Sequence, residues 1–139
     1  MSPSFPRYPD LAWTGVGLAI SGLGVWIALA GPEGRLPVHF GVSGQADRYG
    51  GREEIGALLI GLGLLAAIGA YGFGWFAARA AEASRASSLR VSQALIGSTM
   101  LAVAVMISAT SLSRAESIAT ALPMALLSFT FLVVGAFLG

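Results

Sequence analysis

Four long apolar runs, separated by short polar intervals, organise the chain. The first covers 11–30 without a charge; Arg7 and Asp10 precede it, and Glu33 and Arg35 follow. The second, 55–78, is opened by Glu53 and Glu54 and closed by Arg79. The third, 91–110, lies between Arg90 and Arg114, and the fourth, 118–138, carries no charge after Glu116. A helix rises about 1.5 Å per residue, so about 20 apolar residues cross a hydrocarbon core of about 30 Å. Each run meets that length, and the polar sequence left over is too short to cover four such helices in water. The pattern predicts an all-α membrane protein. It is a single transmembrane domain over 1–139, a four-helix transmembrane bundle with a structured loop at 31–54 between helices 1 and 2. Ala28-Leu29-Ala30 fits a small-x-small cleavage site, but the run is longer than a usual signal core, so an uncleaved first helix is expected.

Composition agrees. Of 139 residues, 55% are hydrophobic and only 11% charged, with a mean hydropathy of +0.77. Water-exposed domains carry about 25% charged residues, so most of this surface is expected to face the lipid bilayer. A net charge of +1 argues against a nucleic-acid partner. The absence of cysteine excludes disulfides, thiolate metal sites and cysteine nucleophiles.

Small residues recur at helical spacing inside the runs: Gly17 and Ser21, Gly24 and Ala28, and the ladder Ala66, Ala70, Gly74. Such faces let backbones approach closely where lipid removes the hydrophobic force between helices. They serve packing between the first two helices or, alternatively, a homo-oligomer contact; the first reading is preferred. In the third run Ser98, Thr99 and Ser108 can bond their own backbone. Gln93 is left wanting an external partner, with a lipid headgroup as the expected one.

The bundle puts both termini on one side. Arginines are tied between the sides: Arg7, Arg79, Arg85 and Arg90 against Arg35, Arg48, Arg52 and Arg114. The positive-inside rule in its strict form therefore does not decide the orientation. The acids crowd the side of the 31–54 loop, which points to cytoplasmic termini and an extracytoplasmic loop.

That loop exceeds the usual connection of about 4–6 residues and holds the only histidine. Residues 36–40 read as a short extended stretch, with Gly41 and Gly44 free to turn the chain. Tyr49-Gly50-Gly51 suggests a second turn, and Glu53 and Glu54 fall in the first turn of the next helix, where acids complement its dipole. Pro37, His39, Phe40, Gly44, Asp47, Tyr49, Gly50 and Arg52 stand in an order and spacing that resembles the signature of the SdpI-like membrane proteins. There, a Pro-x-His-aromatic sequence follows the first span and leads to a glycine, an aspartate and an aromatic-glycine turn. The resemblance covers about 20 residues and the helix pattern around them. It implies a bacterial cytoplasmic (inner) membrane protein, and for the best-known members immunity against a secreted, membrane-active peptide toxin. Two departures stand beside it. Gly31-Pro32 sits one residue upstream of the position usual for a Leu-Pro pair, and the immunity proteins carry two further spans with a second motif.

His39 and Asp47 carry the candidate chemistry. A histidine oriented by a carboxylate serves as a base, a pH sensor or a metal ligand, and Glu53 or Glu54 would add a third ligand for an open metal site. The plainer reading is that Asp47 ties the turn and His39 bonds loop backbone. No serine elbow, phosphate loop or paired-histidine zinc motif is present, and no charge lies at the centre of a span, so an ion relay is not expected. Trp13, Trp26, Tyr71 and Trp75 read as interfacial anchors. The expectation is a ligand- or peptide-binding loop without catalytic residues or cofactor. A metal-dependent membrane enzyme using His39 and Asp47, or a structural or regulatory membrane subunit, are the alternatives.

Overall fold

The computed structural model describes residues 7–112. They form, in chain order, α1 (Tyr8–Ala30), β1 (Leu36–Phe40), β2 (Ala46–Gly50), α2 (Arg52–Arg79) and α3 (Ala83–Leu112). All three helices are long and apolar enough to cross a membrane, which makes this a small multi-pass membrane protein in contact with lipid. The described residues thus contain three spans rather than four; the fourth predicted run, 118–138, lies outside them. The loop between the first two helices is a β-hairpin, so the fold is mostly helical rather than all-α. The reason is local: with Pro37 setting an extended backbone and Gly44 at a φ of +77°, the loop closes antiparallel strands across a turn.

The helices begin and end on recognisable chemistry. In α1 Pro9 occupies the first turn, where its missing N–H costs nothing. The Asp10 carboxylate accepts the Arg7 N–H at 2.9 Å, and the Gly31 N–H closes the helix on Ile27 O at 2.9 Å. In α2, Glu53 and Glu54 lie in the first turn and Arg79 in the last, each sign matched to the helix dipole. The third helix starts at Ala83, earlier than the apolar run at 91–110. Its first turns are polar, so Arg90 and Gln93 lie inside the helix rather than at its border.

Helices α1 and α2 cross in an antiparallel sense along a seam of small residues. A Cβ on Gly17 would strike the backbone of Gly63 and Ala67, and one on Gly24 would strike that of Gly56 and Ile60. Ser21 Oγ donates to Ile60 O at 3.0 Å between them. The small-residue faces of the first two helices are used against each other, as their spacing suggested. Around this seam Ile20, Ile27, Ile55, Leu59 and Ala104 form the buried core, and Leu36 of β1 joins them. The hairpin is therefore seated on the helices through its first residue.

Candidate functional site

The hairpin assembles the motif. Its strands pair Leu36 with Gly50, Pro37 with Tyr49, His39 with Arg48 and Phe40 with Ala46, with irregular register on both sides of His39. In a regular ladder side chains alternate strictly between faces; an irregularity re-aims one of them. Here His39 Nδ1 lies 2.6 Å from Asp47 Oδ1. Both side chains remain more than half exposed, at 65% and 51%. The pair thus stands on the surface of the hairpin and not in its base.

The turn that carries Asp47 back to His39 is closed by backbone. Gly41 N–H donates to Gln45 O and Gly44 N–H to Gly41 O, each at 2.9 Å. The second oxygen of Asp47 lies against Gly41, where a side chain would crowd it. Asp47 is consequently both a partner of His39 and a neighbour of the turn.

Arginines hold the base. Arg52 donates to Gly31 O at 3.1 Å and lies 3.5 Å from Glu33 and 3.6 Å from Glu53. It joins the end of α1 to the start of α2. Arg48 pairs with Glu54 at 2.6 Å, and Arg35 sits over the Tyr49 ring, 5.8 Å from its centroid. Gly50 leaves room for the Glu54 carboxylate, while Pro37 is buried at the base.

The eight motif residues are thus brought into one element and the first turn beside it. Glu53 and Glu54 answer arginines rather than turning to His39 and Asp47. Among the described residues no three histidine, aspartate or glutamate side chains converge on a point that would hold a metal ion.

A second polar cluster, at the opposite end of the helices, is not apparent from the sequence. Asp10 of α1 is buried, and its Oδ1 accepts Arg90 Nη1 at 2.9 Å and Gln93 Nε2 at 3.0 Å. Gln93 also donates to Ala70 O of α2 at 2.7 Å. Gly74 supplies the space, since a Cβ there would collide with the Asp10 carboxylate. Asp10 and Gln93 together therefore tie three helices, the carboxylate joining α1 to α3 and the amide joining α3 to α2. Gln93 finds its partners inside the protein and not in a headgroup, because it lies on the face of α3 that packs against α1 and α2. Asp10 and Arg90 border different spans at the same membrane end, which was the available signal. Trp13 likewise packs on α3, its ring against Gly97, whereas Trp26 is exposed.

No protein-family model, curated protein or solved structure matches the chain.

Proposed function

We propose that this small polytopic membrane protein protects its cell by binding a membrane-active peptide through the hairpin, as its resemblance to the SdpI-like proteins implies. In this reading it resides in a bacterial cytoplasmic membrane with the hairpin on the outer side. The observation that carries the reading is the exposed His39–Asp47 pair at 2.6 Å, presented on a hairpin whose base is buried at Leu36. A rigid base beneath an exposed polar pair is how a binding surface keeps its shape, which limits the ordering cost of association. Pro37, His39, Phe40, Gly44, Asp47, Tyr49, Gly50 and Arg52 are the residues assigned to this surface or its support. The arginine partners of Glu53 and Glu54 weigh against the metal-dependent alternative.

Expression in a sensitive bacterium tests the reading. Cells are challenged with a panel of membrane-permeabilising peptides, and survival against at least one is expected to rise. His39→Ala and Asp47→Ala should each remove the protection at unchanged protein levels in the membrane. Equal killing across the panel, with and without the protein, sinks the idea.

A further inference from the structure

We propose that the end of the molecule opposite the hairpin is a docking surface for anionic phospholipid headgroups, organised around Arg79 stacked on Trp75. This surface is independent of what the hairpin binds.

Charge pairing divides the two ends unequally. At the hairpin end Arg48 and Arg52 have acidic partners, and Arg35 lies over Tyr49. At the other end Arg90 is consumed by buried Asp10. Arg7, Arg79 and Arg85 remain, all exposed, with Glu82 the acid beside them among the described residues. Arg35 and Arg79 each rest on a ring, so among the described residues the exposed arginines outside an ion pair are Arg35 at the hairpin end and Arg7, Arg79 and Arg85 at the other.

The geometry at Arg79 adds preorganisation. Its guanidinium carbon lies 3.7 Å from the Trp75 ring centroid, and Nη1 reaches Trp75 O at 3.4 Å. Stacking holds the planar group at the end of α2 while its other N–H groups stay unspent, a geometry suited to phosphate. Trp75, Tyr71 and Phe76 are exposed near the same end, where aromatic side chains sit at headgroup depth. Arg7 at the start of α1 and Arg85 in the first turns of α3 extend the positive surface. Basic charge beside an aromatic band complements an anionic lipid surface, and each such arginine contributes about 1 kcal/mol of attraction, or about fivefold in binding.

The test uses the full chain in phosphatidylcholine vesicles with increasing phosphatidylglycerol. Quenching of tryptophan by brominated lipid is measured in a Trp26→Phe background, so that Trp13 and Trp75, both towards this end, report. Brominated phosphatidylglycerol is expected to quench more strongly than brominated phosphatidylcholine. Arg79→Gln and Arg85→Gln should each reduce that preference about fivefold, while Arg35→Gln and Arg48→Gln leave it unchanged. Thermal unfolding of every variant reports whether it is folded. Equal quenching by the two lipids, or equal loss in both pairs of variants, overturns the proposal. So does displacement by added inorganic phosphate, which would show a free-phosphate site instead of a lipid surface.

Discussion

Arg90 Nη1 donates to Asp10 Oδ1 at 2.9 Å across 80 positions of sequence, and this contact closes the terminal end of the three helices. The Asp10 side chain is only 4% exposed and that of Arg90 24%, so the pair is largely withdrawn from water. Removing one partner of such a pair leaves an uncompensated charge, whereas removing both charges together costs far less.

Arg90→Met should therefore lower stability by about 3 kcal/mol, the lower end expected for a pair that retains some water. Adding Asp10→Asn should restore most of the loss. Thermal unfolding in mild detergent checks the cycle. Effects that simply add would show that the two side chains act independently.

The helix seam separates two glycine substitutions that look alike in sequence. Gly17→Ala places a methyl group on the backbone of Gly63 and Ala67, whereas a Cβ at Gly61 meets nothing within 4 Å. The first should cost about 1–3 kcal/mol through overpacking. The second should be neutral or stabilise by up to about 1 kcal/mol, because alanine favours the helix. The same unfolding measurement reads both, and similar values would contradict the seam.

Gly44 sets the turn of the hairpin at a φ of +77°. Gly44→Ala is expected to destabilise the hairpin by about 1–2 kcal/mol, and Gly44→Asn by less, because asparagine tolerates this conformation better. Amide exchange in β1 and β2 should accelerate while that of α1–α3 is unchanged. Unaltered hairpin protection in Gly44→Ala would mean that the turn does not depend on the glycine.

The chain lacks cysteine, so single-cysteine variants report sidedness without background. Val42 is fully exposed at the hairpin tip, and Arg85 lies exposed at the other end. With the hairpin outside, Val42→Cys should react with a membrane-impermeant thiol reagent in intact cells and Arg85→Cys only after permeabilisation. The reverse pattern would invert the proposed orientation.

Some of this architecture is local and was legible in the residues. Apolar length alone locates the three described helices, because crossing hydrocarbon is a requirement on composition that no distant contact can relax. The small-residue spacing likewise announced the α1–α2 seam, since four-residue periodicity places Gly17, Ser21 and Gly24 on one helix face. Pro37, Gly41 and Gly44 marked an extended stretch and a turn. Strand pairing and the irregular register that sets His39 against Asp47 depended on how both halves of the loop met, and alternation by itself does not specify that. The Asp10–Arg90–Gln93 cluster was hidden for a stronger reason. Its partners come from two helices and bond a carbonyl of a third, so each reads alone as an ordinary charge or polar residue near a span border. By itself, the sequence determined which of the described segments are long and apolar enough to cross a membrane, because that depends on the composition of each segment. Only the tertiary structure decided which polar groups face one another, because ion pairing depends on distances between segments that hydropathy does not contain.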